Sequence, residues 1–98
     1  MTERRLVRVT EQFFDRLDDL FPEVRTVEGD PSAADFLLHE LPNVIEKLAT
    51  DFESAAMLTG GEPDVRVLIA AGLLVPYYGV YAALVEDGSV EIFWLDID

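Results

Sequence analysis

The sequence predicts an α+β fold of order β-α-α-β-β-β, with two N-terminal helices packed on a mainly antiparallel sheet that ends in a C-terminal three-stranded meander. Three observations predict it. The run from Val65 to Ile97 is nearly all apolar and is broken by Asp87-Gly88, where two strands would need a tight turn. Two stretches before it repeat their apolar residues at helical spacing. At 98 residues and 50% hydrophobic content the chain can bury one core and not two, so residues 1–98 read as a single domain.

Leu6 to Val9 is short and β-branched enough for an opening strand, flanked by Arg4, Arg5 and Arg8, the one basic cluster in the chain. Thr10 can cap the helix that follows, in which Phe13, Phe14, Leu17, Leu20 and Phe21 share a face and which Pro22 ends. Asp15, Arg16, Asp18 and Asp19 fall on its outer face and read as solvated. Glu23 to Pro31 is a loop. A second helix is expected over roughly 32–54, capped by Asp30 or Ser32 with Pro31 in its first turn, and bent near residue 40 because Pro42 removes a backbone hydrogen bond. Its stripe is Ala34, Leu37, Leu38, Leu41, Val44, Ile45, Leu48 and Phe52, and Phe36 falls outside it. Thr59 to Asp64 is a loop, and Gly72 to Pro76 must hold a turn or bulge between strands.

Asp-Gly suits a type I′ turn, which would set Glu86 opposite Ser89. That register pairs Val85 with Val90, Ala83 with Ile92 and Tyr81 with Trp94 on one face, and turns Val80, Ala82 and Leu84 to the other. Val67 to Val85 carries no charge and reaches the roughly 18 residues that suggest a membrane span. Pro76, two glycines and many β-formers argue against a helix there, so no membrane association is expected.

The net charge is -13, from 20 acidic against 7 basic residues. A chain this acidic repels phosphate backbones at long range, so no nucleic acid partner is expected; a basic partner or simple solubility is the natural reading. The lack of cysteine excludes disulfides and thiolate metal sites, and MTERRLVRV lacks the apolar run of a secretion signal, so the expected location is cytoplasmic. His39 is the single histidine, which excludes multi-histidine metal sites; it lies off its helix's stripe and reads as a surface residue. Carboxylate pairs such as Asp96 with Asp98 could share a cation or serve as acid and base, but hydrated chain ends explain them equally well. No metal and no cofactor is expected.

The texts LVRVTEQFFDRLDDL and PSAADFLLHELPNVIEKLATDFE, followed by VRVLIAAG, YYGVYAALVEDG and SVEIFWLDI, resemble the opening strand, two helices and last three strands of the RelE/ParE toxins of bacterial type II toxin–antitoxin systems. These are patterns of apolar and turn residues over most of the chain, without a catalytic motif. Members of that family cut mRNA on the ribosome or poison DNA gyrase, and an antitoxin neutralises them. The RNA-cutting branch carries basic residues on its sheet and often a His or Tyr near the C-terminus. Here Arg66 alone could stand in the strand, and Trp94 to Asp98 contains neither.

The resemblance therefore implies a plasmid-stabilisation type of protein that acts by protein binding, without ribonuclease activity. Its partner would be an antitoxin-like segment or a second copy in a homodimer. The candidate contact residues are Arg66, Tyr77, Tyr78, Tyr81 and Trp94, which have too few cations beside them to form a base-stacking platform. The alternatives are a non-toxic acidic adaptor domain of the same fold and a small carboxylate-based hydrolase. The sheet holds more apolar residues than two helix stripes can cover, so one of its faces is expected to stay exposed.

Overall fold

The computed structural model describes residues 4–55, 57–58, 64–75 and 77–97, with the side chains of 53–58 left aside. The class is α+β: helices together with a mixed sheet. In chain order the elements are β1 (Val7–Val9), α1 (Glu11–Leu20), α2 (Ala33–Asp35), a π-helical turn (Phe36–Glu40), α3 (Leu41–Ala55), β2 (Met57–Leu58), β3 (Val65–Ala70), β4 (Tyr78–Leu84) and β5 (Val90–Ile97). The sheet runs β1-β5-β4-β3-β2, with β1 parallel to β5 and the other pairs antiparallel. The two-residue β2 is an addition to the expected set of strands. No helix among the described residues is long and apolar enough to cross a membrane.

Thr10 caps α1 as expected: its hydroxyl accepts the Phe13 N–H at 3.3 Å and donates to Ile92 O at 3.0 Å, tying the helix start to the sheet. Ser32, and not Asp30, caps α2, in a reciprocal box with Asp35, so Pro31 lies ahead of the helix instead of in its first turn. The Arg25 guanidinium and then the Ser32 N–H hold the Asp35 carboxyl well below the usual carboxylate range.

The bend near residue 40 is a π-helical turn, closed by the Leu41 N–H on Phe36 O. Such a turn holds one more residue than an α-helical turn, so the phase on its N-terminal side shifts relative to α3. This corrects the predicted stripe at three positions, the first being Ala34, which is exposed while Ala33 packs against the core. Phe36 is 0% exposed at the centre of the core, whereas Leu38 is 71% exposed. Phe36 stands 5.8 Å from Phe21 and 5.2 Å from Tyr78, centroid to centroid, the latter edge to face. Val44, Leu48 and Phe52, beyond the turn, are buried as their phase requires. The helix bends again at Asp51, where φ is -147°.

The hairpin register differs from expectation near its turn. Gly88 has φ +88° and no described non-glycine residue has positive φ, so Asp87 does not adopt a type I′ conformation. The Gly88 N–H bonds Val85 O at 2.9 Å and the Val85 N–H bonds Ser89 O at 2.8 Å, giving a three-residue loop that ends in a glycine bulge. Leu84 therefore faces Val90 and Ala82 faces Ile92. A second irregularity between Tyr81 and Ala82, opposite Phe93, restores the expected pairing of Tyr81 with Trp94. The two offsets cancel. Between them Val90 and Ile92 turn to the helix-covered face, where they join Val80, Ala82 and Leu95 in the core, and not to the face of Tyr81 as the simple alternation required.

Arg16 is not simply solvated. Its Nε donates to Leu95 O at 2.9 Å and its Nη2 to Asp96 Oδ1 at 3.0 Å, so α1 closes the edge of β5 beyond the point where β1 stops.

Candidate functional site

Phe13, Leu17, Val44 and Leu48 from the helices share one core with Leu68, Val80, Ala82, Ile92 and Leu95 of the sheet, and none of the described elements covers the other face. Strand register sets the open face in rows. Val67, Tyr81 and Trp94 lie side by side across β3, β4 and β5, and Ile69, Gly79 and Asp96 form the next row. Gly79 has no side chain, and a β-carbon there would lie 3.3 Å from Val67 Cγ2, so the second row has a gap at its centre. That gap is the floor of a groove of about 340 Å³ whose walls include Val67, Ile69, Tyr77, Tyr81 and Ile97. Ile69 and Tyr77 are each 57% exposed, while Tyr81 and Trp94 are half-buried against their row neighbours.

The charges bordering this face are arranged in pairs. The Arg16 guanidinium carbon sits 4.4 Å above the Trp94 ring while its nitrogens hold Asp96 and Leu95 O, which fixes the indole on one side. Arg8, opposite Glu91 in the parallel pair, approaches Glu91 Oε2 to 3.5 Å and Asp87 Oδ2 to 3.8 Å, and donates to Ser89 Oγ at 2.8 Å. The Ser89 hydroxyl, then its N–H, holds the Asp87 carboxyl below its ordinary value.

The structure thus brings together three of the five contact residues read from the sequence: Tyr77, Tyr81 and Trp94. Tyr78 points to the helix side, is 5% exposed and packs edge to face on Phe36. Burial pushes its hydroxyl up, and the charge of Glu40 adds to the rise. Arg66 pairs with Ala82, a core residue, and its guanidinium carbon lies 5.3 Å from the Phe52 ring centroid, on the face opposite Trp94. The aromatic groove and Arg66 are therefore separated by the sheet.

A second constellation escaped the sequence reading. Glu40, at the end of the π-helical turn, is 1% exposed, and its carboxylate accepts the N–H groups of Leu73 at 2.9 Å, Leu74 at 2.9 Å and Val75 at 2.8 Å. Burial raises the carboxyl's pKa, but the three amide donors, helped by His39 nearby, outweigh it and leave Glu40 below its ordinary value. The loop is shaped around the carboxylate: a β-carbon at position 72 would collide with Glu40 Oε2 and lie 2.5 Å from Val75 O, so only glycine fits. This arrangement holds the β3–β4 connection, with both carboxylate oxygens taken up by loop amides. Gly72 after an apolar run was its only local signal.

His39 is exposed, as expected of a surface residue. Among the described residues no group of three or more His, Asp or Glu is placed to hold a metal ion. Comparison of the chain with protein-family models, with curated proteins and with solved structures finds no match in any of the three.

Proposed function

We propose that this chain is a protein-binding domain that works without catalysis and engages its partner through the open face of its sheet. In the RelE/ParE-like reading it is one member of a toxin–antitoxin pair acting in the cytoplasm, an acidic variant of β-α-α-β-β-β architecture extended by the short β2. The observation that carries the proposal is the uncovered apolar groove of Val67, Ile69, Tyr77 and Tyr81 beside Trp94. Large apolar patches are uncommon on surfaces that meet only water, and open grooves with rigid aromatic walls are typical of protein contacts.

Two features favour protein over RNA as the target. Arg8 and Arg16, the arginines described at this face, are both engaged by neighbouring carboxylates, which leaves no cationic track for a phosphate backbone. Asp96, half of the carboxylate pair considered for hydrolysis, is bound to Arg16 and so is poorly suited to act as a general acid or base. Net charge -13 also supports a second reading, a non-toxic acidic adaptor domain of the same fold.

Induced expression in a bacterial host separates the two readings. Growth arrest that Ile69→Asp relieves supports the toxin reading, and undisturbed growth supports the adaptor. Ribosome-dependent mRNA cleavage that Arg66→Ala abolishes would overturn the non-catalytic proposal.

A further inference from the structure

We infer that the occupant of the open sheet face is a second copy of this chain, and that the pairing tightens as salt rises. The inference rests on the reading above that this face binds protein. Its warrant is the distribution of charge. The chain carries -13, yet at the open face Arg8 and Arg16 answer Asp87, Glu91 and Asp96 at 3.0–3.8 Å, so these five residues together carry only one net negative charge. The excess negative charge lies elsewhere, on exposed residues such as Glu11, Asp15, Asp18, Asp19 and Glu23.

A basic partner would be drawn to those helix and loop carboxylates, whereas Asp87, Glu91 and Asp96 at the sheet face already hold arginines. The chemistry that fits the face is its own: apolar, aromatic and charge-balanced. A second copy brings that surface and no surplus of cations. Face-to-face pairing also keeps the acidic helices on the two outer sides of the dimer, as far apart as the fold allows, because the helices cover the opposite face of each sheet.

The sign of the salt response distinguishes this occupant from others. Two chains of charge -13 repel through solvent, and salt screens that repulsion while leaving apolar contact in place. Attraction between this chain and a basic protein would weaken under the same change.

Sedimentation equilibrium of the full chain, at about 0.05 M and about 0.5 M NaCl, tests the inference. The expected result is a dimer whose dissociation constant falls roughly tenfold or more at the higher salt. Ile69→Asp and Tyr77→Ser alter exposed side chains on the face and should each raise that constant about tenfold or more at both salts, with the circular dichroism spectrum unchanged. Leu38→Asp, at a still more exposed position but on a helix, should leave dimerisation as it is.

A monomer at about 100 µM in both salts, a dimer that loosens with salt, or equal sensitivity to Leu38→Asp and Ile69→Asp would each overturn the inference. A monomer whose growth arrest still depends on Ile69 would sink self-pairing and leave the protein-binding reading intact. Indifference of both association and growth arrest to Ile69→Asp would remove both.

Discussion

Replacing Glu40 by alanine removes one carboxylate and strands three backbone donors. The Val75 N–H is buried and left without a partner, a loss of about 1–3 kcal/mol. The amides of Leu73 and Leu74 belong to exposed residues and can turn to water, so each forfeits only the net worth of its bond, about 0.5–1.5 kcal/mol. The expected destabilisation is about 4 kcal/mol, a large share of the ~5–15 kcal/mol that holds a domain together. With a urea dependence of about 1.5 kcal/mol/M, the unfolding midpoint should drop by ~2.7 M.

Glu40→Gln keeps the shape but points an NH₂ at amide donors, so it should fall between the two. Because the carboxyl is held below its ordinary value, its stabilisation is fully present above the unfolded carboxyl pKa of about 4.3 and is lost as pH falls through the lower folded value. The gap between wild type and the Gln variant should therefore narrow on acidification. Amide exchange at Leu73, Leu74 and Val75 supplies a local readout. A midpoint shift under ~0.5 M with an unchanged slope, and unaltered exchange at those amides, would refute the account.

Two further substitutions test the backbone irregularities. Phe36→Ala should cost about 3–5 kcal/mol in denaturant unfolding and Leu38→Ala less than about 0.5 kcal/mol, an ordering that an unbroken α-helical phase through Phe36–Glu40 would reverse. Gly88→Ala should cost about 1–2 kcal/mol because a side chain is forced to φ +88°, and equal stability of the variant would show that the loop does not need its bulge glycine.

The α+β class, the Thr10 cap and the loop preceding Ser32 were legible because each rests on local chemistry: hydrophobic spacing, a capping hydroxyl, proline and glycine. The errors arose where one residue was inserted into a regular period. A π-helical turn and two bulges each displace the alternation by one position, and nothing in the neighbouring residue types counts that extra residue. Pro42 did mark the bend, but not that the helix would widen before it, so Phe36 and Leu38 exchanged environments.

At the candidate site, the exposed sheet face followed from an excess of apolar residues over what two stripes can cover. Its membership did not. Arg66 and Tyr78 lie on strands like Tyr81, and only strand parity places them on the far side. Glu40 was invisible for a different reason: its partners are 33–35 residues away, and a glutamate in an amphipathic helix has the same local appearance whether it meets water or three amides.

Arg16 and α1, by occupying the outward carbonyl of Leu95, make the sheet unsymmetrical with respect to growth. Fibrils built by lateral strand addition need every molecule to present an acceptor edge and a donor edge, so that each arrival creates the next docking place. On the β5 side that place is blocked by a guanidinium and a helix, and the strand flanking it among the described residues, β1, is three residues long with Arg8 at its centre. Lateral recruitment of folded molecules is then limited to the β2–β3 side, and a chain joined there offers no equivalent edge to a third. A protein with this much apolar sheet can thus leave one sheet face uncovered by its described elements while its architecture terminates the series.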